Sequence, residues 1–592
     1  MPDGTPPKTP ENPIYLPSDE RRLIGVASDL VQKCRTTVGM RSSYYRQLAA
    51  WTESGKSDGS KSKLNLLYNH IDRLASYLFS PVGLKFAVEY RFDWPAEMHK
   101  RAKVAAGILT DDWEGSSTDM MFGQGVFESL KYGAALMKQW PERSGETFTH
   151  QKSLVMPWNF GVYAEYINDL DRQPVMCETV TLTLPEVWKL VETQPDARRL
   201  YDRIRSHAQS GGSTGNPDSV FHQVFSTSTL QMGVLSSGQP SPGGIVNLSS
   251  DPSYGMSSAT TEAELVQMHE LYVWEGEGRT TIQLIEPDIV IQPRSRKVNV
   301  IAYDPSSGSI ADDLRASHPY TLIQPNVKHG YFWGRSELED LMEVQGWIST
   351  TCDDLQRMFN LQIDKILAFD GEGVMDEQYD QMRAAGYFNL GQGGGVKDLT
   401  PPFPSEGLPF LDKLISFMEM IGGMDNLLSG RGEPGVRAGN HAGMLMKTAS
   451  PRMRDRALLV ERQCASAADF WLRVCEAKDG RNYWTDGSDA EKREATSFLL
   501  ADLPDDRRVV LDSHSASPVF QDDHAQLVSW GLDHGIADAH YAVDHLPFPD
   551  KDALHHGIKE RQIAQQKMLE DLKQRDPEGY VKLLEHSGAK KK

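Results

Sequence analysis

The N-terminal part of the chain carries two series of apolar residues at helical spacing. The second series lies within Leu64–Phe79 and ends at Ser80 and Pro81, where the proline disfavours a helical conformation in the residue before it. This spacing predicts two amphipathic helices, with residues 54–63 as a polar linker between them. The first series consists of Leu23, Val26, Leu30, Cys34, Val38, Tyr45, Leu48 and Trp51.

Short β-branched and aromatic runs dominate the next part of the chain, and turn residues separate them. Residues 95–139 are the exception: they are predicted to be largely helical, with breaks near Gly115–Ser117 and Gly123–Gly125. One further helix is predicted over Pro185–Arg205. Helices mixed with strands in this order indicate the α+β class. The predicted strands are Leu84–Tyr90, Gly133–Trp140, Thr147–Met156, Gly161–Tyr166, Val175–Leu184, Val266–Trp274, Thr280–Ile291 and Lys297–Tyr303.

Residues 209–262 interrupt this pattern because Ser, Gly, Thr and Pro crowd the segment. Such a composition favours a long insertion loop. Weak strand signals at Val220–Phe225 and Leu230–Leu235 keep a hairpin open as the alternative.

A single long helix is predicted after this β-rich region. Ser336 and Glu339 match a capping box at its start, and the helix is expected to end before Gly371. About 32 residues at a rise of 1.5 Å correspond to a rod of roughly 48 Å. Gln345 interrupts its apolar stripe, whose main positions are Leu338, Leu341, Ile348, Leu355, Phe359 and Ile366.

The C-terminal part alternates flexible segments with helices. Residues 370–410 are rich in Gly and Pro, and a helix is predicted over Leu411–Leu428. Ser429–Gly439 is a loop by composition, and the helix after it runs from Asn440 to Lys478. At Pro451 we expect a kink, or a break and restart, in that helix. The remaining predictions are a strand at Arg507–Leu511 and helices over Val519–Leu546 and Asp550–Leu584.

Charge and cysteine usage exclude several classes of protein. The 592 residues include 62 Lys and Arg against 82 Asp and Glu, which gives a net charge of −20. Such an acidic chain is not expected to wrap nucleic acid with its whole surface. The 5 cysteines form no CxxC pair, which argues against a disulfide scaffold or a cysteine zinc site and favours a reducing compartment. We also expect no signal peptide and no membrane span.

Common nucleotide and metal motifs are incomplete in this chain. Gly430–Gly435 satisfies GxGxxG, but it follows a predicted helix and contains Pro434. Gly391–Lys397 is rich in glycine but lacks the Gly-Lys-Ser/Thr of a phosphate-binding loop. His269 and Glu270 begin a zinc-protease motif that is not completed. No catalytic residue, metal ligand or cofactor is assigned from these patterns.

The region from His514 to His556 keeps an enzymatic alternative open. Seven of the 17 histidines fall there, interleaved with aspartates such as Asp522, Asp523 and Asp544. Asp and His side chains can bind divalent metals and activate water, so a metal-dependent phosphohydrolase or nuclease is the alternative function. The irregular spacing favours helix caps and polar surface instead.

Basic residues concentrate in one stretch of the acidic chain. One interpretation is a solvated helix face, and the other is a loop and helix start that contact phosphates in a channel. The stretch comprises Arg431, Arg437, Lys447, Arg452, Arg454, Arg456 and Arg462.

The succession of these elements resembles the portal proteins of tailed bacteriophages, over nearly the whole chain. Three segments carry most of the resemblance: the helix end LNLLYNHIDRLASYLFSP (Leu64–Pro81), the β-region segment MPWNFGVYAE (Met156–Glu165), and His329–Gly371, which begins HGYFWGRSELED. The third resembles the turn into the first stem helix of a portal, followed by that helix. The insertion at 209–262 is the part least similar to the family.

The resemblance implies a portal fold with a β-rich wing, a long helical stem, a clip, a tunnel loop and an α-helical crown. It divides the chain into an N-terminal arm and helix (1–63), the wing (64–328), the first stem helix (329–369), the clip (370–410), the second stem helix (411–428), the tunnel loop (429–439), a long kinked helix returning to the wing (440–515) and the crown (516–592).

The family's function implies a homo-oligomeric ring, usually of twelve subunits, at one capsid vertex. Double-stranded DNA would pass through its channel without sequence specificity, during packaging and later ejection. The implied partners are the terminase large subunit, the head-completion or adaptor protein, the major capsid protein and optionally a scaffolding protein. The ring would assemble in the host cytoplasm and end in the virion. It would have no catalysis of its own, since the terminase hydrolyses ATP. A scaffold or capsid-shell protein is the further alternative.

The resemblance also implies roles for particular residues. Arg431 and Arg437 would contact DNA from the tunnel loop, whose glycines are Gly430, Gly432, Gly435 and Gly439. The apolar stripe from Leu338 to Ile366 would pack the stem helix. The clip residues that would face partner proteins are Gly391, Gly393, Gly394, Gly395 and Lys397.

Overall fold

The computed structural model describes separate stretches of the chain. Within them, helices and antiparallel strands both occur, so the protein is of the α+β class. The described residues are 16–17, 20–56, 62, 64–144, 147–192, 194, 196–209, 265–275, 278–285, 289–295, 318–363, 367–370, 395–423, 451–485, 496–504, 506–511 and scattered positions between 528 and 567.

The helices and strands are numbered here in chain order. The helices are α1 (Glu20–Ser54), α2 (Leu67–Leu78), α3 (Ala96–Gly115), α4 (Thr118–Tyr132), α5 (Leu184–Val191), α6 (Ala197–Gln209), α7 (Met342–Ile363), α8 (Gly407–Gly422) and α9 (Pro451–Lys478). The strands are β1 (Phe86–Tyr90), β2 (Ala135–Ser144), β3 (Thr147–Val155), β4 (Phe160–Val162), β5 (Val175–Thr183), β6 (Leu265–Glu275), β7 (Gly278–Ile285), β8 (Ile289–Ser295), β9 (Tyr320–Ile323), β10 (Leu367–Asp370), β11 (Gly395–Asp398), β12 (Tyr483–Trp484), β13 (Ser497–Phe498) and β14 (Arg507–Leu511).

Two antiparallel sheets form the centre of the β-rich region. One has the strand order β4-β5-β6-β7-β8 and the other the order β3-β2-β9. Because side chains alternate along a strand, Leu271 and Val273 of β6 point to one face, where they pack against the first half of α1. Val266 and Met268 of the same strand point to the other face and pack against α5 and α6.

A buried ion network joins the two sheets. Glu178 of β5 and Glu270 of β6 are directly opposite each other, an arrangement that two carboxylates alone would destabilise. Lys138 of β2 lies between them, with its Nζ 2.5 Å from Glu178 Oε2 and 2.6 Å from Glu270 Oε2. Burial by itself would lower the pKa of Lys138, but the charges of Glu270 and Glu178 outweigh it and hold that pKa above its usual value. Tyr320 of β9 also donates to Glu178.

The largest apolar core connects the second half of α1, helices α2 to α4, the three-stranded sheet and α9. The predicted apolar series of α1 is confirmed: Leu23, Leu30 and Leu48 are buried. The strand predicted at Leu84–Tyr90 is confirmed as β1, and it pairs with the strand predicted at Arg507–Leu511. Within the described residues, no helix is both long and apolar enough to cross a membrane.

Two predictions for the helices of this region are wrong in detail. The break at Gly115–Ser117 exists, and Ser117 has a left-handed backbone, but Gly123 and Gly125 lie inside α4. The reason for a glycine there is close packing, since a Cβ on Gly125 would be 2.5 Å from Cδ1 of Ile323. The single helix predicted over Pro185–Arg205 is two helices, α5 and α6.

One strand prediction is also wrong, because it covers two strands of the structure. Thr280–Ile291 was predicted as a single strand, whereas the structure has β7 and β8, which pair antiparallel with a register shift. The insertion at 209–262 lies outside the described residues apart from Gln209, the last residue of α6, and the strand predicted at Lys297–Tyr303 lies outside them altogether. Of the two predicted C-terminal helices, residues 528–532 of the first and 557–561 of the second are described and are helical.

Candidate functional site

Helices α7 and α8 form an antiparallel hairpin, at the position predicted for the stem. Gly407, at the start of α8, contacts Leu355 in the later part of α7. The side-chain amide of Gln362 donates to the carbonyl of Pro401 at 2.6 Å, again near the end of α7. Gly422, at the end of α8, lies against His70 of α2, at the opposite end of the hairpin. We call this last region the base of the hairpin.

The helix predicted as the first stem helix is shorter than expected. Ser336 does cap the start, since its hydroxyl accepts from the backbone N–H of Leu338, but the turn over Glu337–Asp340 is a 3-10 helix. The α-helix has 22 residues, roughly 33 Å at 1.5 Å per residue, in place of the predicted rod of about 48 Å. It ends at Ile363 because the chain enters β10, whose residues pair with β11.

The predicted apolar stripe of this helix divides into two parts. Leu338, Leu341 and Ile348 are buried within the chain, as predicted. Leu355 is partly buried, whereas Phe359 is 58% exposed and therefore does not pack within the chain. Ile366 lies outside the described residues.

Gln345, which was predicted to interrupt the apolar stripe, is buried and makes specific hydrogen bonds. Its side chain accepts from the N–H of Leu66 at 3.1 Å and donates to the carbonyl of Leu64 at 2.7 Å. It also donates to Ser349, whose hydroxyl contacts Ser62. These bonds fix the chain before α2 along the first half of α7.

Several large apolar side chains of the hairpin are exposed. In α8, Leu414 and Met418 face the core, whereas Phe410, Phe417 and Met420 lie on the other side at positions i, i+7 and i+10. Met420 is 68% exposed and, on α7, Ile363 is 63% exposed. An exposed apolar surface of this kind is typical of a protein interaction site. We use the name outer apolar face for the exposed apolar side chains Phe359 and Ile363 of α7 and Phe410, Phe417, Met420 and Ile421 of α8. Trp347 and Leu408 are also exposed, but they lie at other angles around their helices.

The far end of the hairpin is closed by β10 and β11, which pair antiparallel with Asp370 opposite Gly395. The predicted clip, 370–410, therefore overlaps β10 at its first residue and α8 at its last residues. Of the predicted clip residues, Gly395 begins β11 and Lys397 lies opposite Ala368. Gly391, Gly393 and Gly394 lie outside the described residues.

A buried carboxylate organises the base of the hairpin. Glu337 Oε2 lies 2.9 Å from Nη2 of Arg456 in α9 and accepts from Nδ2 of Asn326 at 2.9 Å. Its other oxygen, Oε1, lies 3.9 Å from Nε2 of His70. Burial would raise the pKa of Glu337, but the neighbouring His70 and the charge of Arg456 outweigh it and lower that pKa to about 2. We call His70, Asn326, Glu337 and Arg456 the base cluster.

The turn before the 3-10 helix is fixed by a second cluster. The guanidinium of Arg41 in α1 lies 4.0 Å above the ring of Trp333 and 3.0 Å from Glu165 Oε1. The indole N–H of Trp333 donates to the same carboxylate oxygen at 3.0 Å. Tyr44 of α1 also donates to Glu339. The N-terminal helix thus positions the entry to the hairpin through cation–π contact and charge-assisted hydrogen bonds.

The predicted tunnel loop, 429–439, lies outside the described residues, and so do Gly430, Arg431, Gly432, Gly435, Arg437 and Gly439. The helix before it was predicted to reach Leu428, but α8 ends at Gly422, followed by Gly423 in a left-handed conformation. The helix after it is described from Pro451 to Lys478. The kink at Pro451 stays a prediction, because residues 440–450 are not described.

Neither interpretation of the basic stretch describes Arg456 correctly. The structure buries it against Glu337, so it is neither a solvated side chain nor a phosphate contact. Arg462, further along α9, is exposed. His70 and Glu337 were not singled out in the sequence, since three distant segments supply the base cluster.

The described residues contain no group of three or more His, Cys, Asp or Glu side chains that could hold a metal ion. Within these residues there is therefore no candidate metal site for the enzymatic alternative. Most of His514–His556 lies outside them. His269 and Glu270 are buried on β6, where the first contacts Thr179 and the second Lys138.

No protein-family model matches this chain. A search of curated proteins also finds no match.

Proposed function

We propose that this chain is the subunit of a phage portal ring, and that the outer apolar face of the α7–α8 hairpin is the surface on which copies associate. One observation carries the proposal: α8 has a core-facing stripe and a second apolar stripe that is exposed. Fully burying one large apolar side chain contributes about 1.5–3 kcal/mol, so this face has a strong tendency to be covered.

A second copy of the chain is the occupant that fits the portal assignment. Hairpins placed side by side make a head-to-tail contact, which closes into a ring when the rotation between neighbours divides a full turn without a shift along the axis. The base cluster and the Arg41 cluster hold the hairpin against the rest of the chain. Each copy would therefore present the face at a fixed angle, as a closed ring requires.

The channel and its partners follow from the ring. An acidic wall repels phosphates and leaves double-stranded DNA free to slide, while Arg431 and Arg437 of the tunnel loop touch it transiently. The terminase and the head-completion proteins would bind in turn at the clip beyond β10 and β11. The ring would lie at one vertex of the capsid shell, with the major capsid protein around it.

The proposal is tested by the size and shape of the purified full-length protein. Mass photometry at micromolar concentration should give particles near the mass of a twelve-membered ring, about 0.8 MDa from a subunit of 66.2 kDa. Negative-stain electron microscopy should show closed rings with a central channel. A stable monomer under the same conditions would remove the portal assignment.

A further inference from the structure

Helix α6 is rigidly mounted on the wing. Its Leu200, Tyr201 and Ile204 pack with α5 and the even-numbered face of β6. The ring of Tyr201 makes an edge contact with Trp188 of α5, with the ring centres 5.2 Å apart. The orientation of α6 is therefore set by its apolar side, and the opposite side has a defined direction.

The opposite side of α6 is covered with arginines. Arg198, Arg199, Arg203 and Arg205 are all exposed, and at 100° per residue they occupy an arc of roughly 160°. Asp202 is the only acidic residue of the helix. The face is thus locally basic, although the whole chain has a net charge of −20. We call these four side chains the arginine face.

Asp202 lies on the same side of the helix as the arginines, but three of them do not pair with it. Within the described part of the chain, Arg198, Arg199 and Arg205 make no ion pair. Other exposed arginines do: Arg473 is 3.0 Å from Asp469, and Arg508 is 2.7 Å from Glu89. Clustered cations without carboxylate partners are an unusual arrangement on a protein of this charge, and they favour an external anion.

We propose that the arginine face of α6 binds the phosphate backbone of double-stranded DNA, at a site on the wing that is separate from the α7–α8 hairpin. A duplex carries one negative charge about every 1.7 Å along its axis. No covalent group of the duplex neutralises these phosphate charges, so they are open to cationic side chains. The guanidinium groups are also suited to phosphate, because their planar fork donates two parallel hydrogen bonds.

The dimensions agree with a backbone contact. Arg198 and Arg205 are seven residues apart, which corresponds to roughly 10.5 Å along the helix axis. Long side chains at that separation can reach several successive phosphates of a duplex. Because such contacts read only the backbone, the binding is expected to be independent of sequence. The proposal does not depend on ring formation, since the site lies within one chain.

The test measures binding of the full-length protein to a fluorescent 25-base-pair duplex of mixed sequence between 50 and 200 mM NaCl. The variant R198Q/R199Q/R205Q removes three charges and keeps good helix formers. A matched control, R46Q/R73Q/R91Q, removes three exposed arginines at dispersed positions and gives the same net charge. Loss of three phosphate contacts should reduce the slope of log K against log salt concentration by about 2.7 for the first variant only.

Two further measurements keep the result decisive. A lysine variant, R198K/R199K/R205K, should retain most of the salt dependence, and circular dichroism should show that all variants fold. Equal losses in the cluster variant and the dispersed control would overturn the proposal, because net charge alone would then explain binding. Binding of poly-glutamate that competes fully with the duplex would also overturn it, in favour of an acidic protein partner. A particle-size measurement on the same samples shows whether rings have formed. Failure of the DNA-binding proposal can then be distinguished from failure of the ring proposal.

Discussion

The imidazole ring of His70 lies directly against Gly422: a Cβ atom at that glycine would be 2.1 Å from Cε1 of the histidine. Nε2 of the same ring lies 3.9 Å from Glu337, which binds Arg456 near the start of α9. The end of α8 and the start of α9 are therefore held by one cluster. These are the two helix ends that flank the segment containing the predicted tunnel loop.

Replacing Gly422 by alanine is expected to destabilise the base of the hairpin. The added methyl group cannot fit unless His70 or the end of α8 moves, and overpacking of this kind typically costs about 1–3 kcal/mol. The thermal unfolding midpoint should fall relative to the wild-type protein. In the background of His70→Ala, the same change should cost much less, which a double-mutant cycle would measure.

Gly107→Ala provides the matched control for this prediction. Gly107 lies inside α3, and nothing is within 4 Å of the position of an added Cβ. Alanine favours helix by about 1 kcal/mol over glycine, so this variant should be neutral or slightly more stable. Equal unfolding midpoints for Gly422→Ala and the wild type would contradict the close contact with His70.

The carboxylate of Glu337 is expected to make stability depend on pH in the acid range. Its pKa falls from 4.5 to about 2 on folding, so its contribution is fully present above about pH 4.5 and is lost as the pH drops towards 2. A shift of this size corresponds to about 3 kcal/mol at neutral pH. Glu337→Gln should therefore lower the urea-unfolding midpoint at pH 7, and its deficit relative to wild type should shrink at pH 3.

An exposed carboxylate serves as the reference for that measurement. Glu192 follows α5 and is exposed, so Glu192→Gln should change the midpoint only slightly at either pH. If the deficit of Glu337→Gln were the same at pH 7 and pH 3, the charge contacts of the base cluster would not be its cause.

The outer apolar face is expected to tolerate charge in the folded subunit but not in the assembly. Phe359→Glu combined with Ile363→Glu changes side chains that are exposed within one chain, so each subunit should keep its fold. A buried unpaired carboxylate at a subunit contact is costly, so the rings should dissociate to monomers. Met120→Glu, on an exposed residue of α4, is the control. Intact rings in the double variant would show that the copies associate elsewhere.

Local patterns in the sequence predicted helices and strands well where burial alone decides them. The apolar spacing of α1 is an example, because Leu23, Leu30 and Leu48 all face the core. The end of α7 could not be predicted in this way. Apolar residues continue past Ile363 at acceptable spacing, and the chain leaves the helix because Leu367–Asp370 pairs with Gly395–Asp398. Periodicity within one segment contains no information about that distant partner.

The candidate site was predictable only in its apolar part. Leu338 and Ile348 were identified from spacing, whereas Gln345 was taken as an interruption although its amide bonds fix the chain at Leu64 and Leu66. A buried polar residue looks like a surface residue in a sequence until its partners are known. The same holds for Arg456, whose charge is balanced by Glu337 from a remote segment.

The tunnel-loop assignment predicts a defect in DNA handling without a defect in assembly. Arg431→Ala with Arg437→Ala should leave rings intact, since neither residue belongs to the outer apolar face. The DNA content and retention of purified heads should change, because transient phosphate contacts at the channel are lost. Arg462→Ala, an exposed arginine on α9, is the control from the same basic stretch. Wild-type filling and retention in the double variant would remove the assignment.

The pairing of β10 with β11 makes the clip assignment testable by a precise deletion. Asp370 and Gly395 are opposite each other in an antiparallel pair, so their Cα atoms are about 5 Å apart and a two-residue Asn-Gly turn can join them. Replacing residues 371–394 by Asn-Gly removes Gly391, Gly393 and Gly394 but keeps α7, α8 and the outer apolar face. Rings should therefore still form in electron micrographs, while binding of the terminase large subunit, measured by co-sedimentation, should be lost. Inserting the same Asn-Gly pair after Asp370 without the deletion is the control, and it should preserve both properties. If terminase binding survives the deletion, or if rings fail while binding persists, these residues are not the surface that the motor recognises.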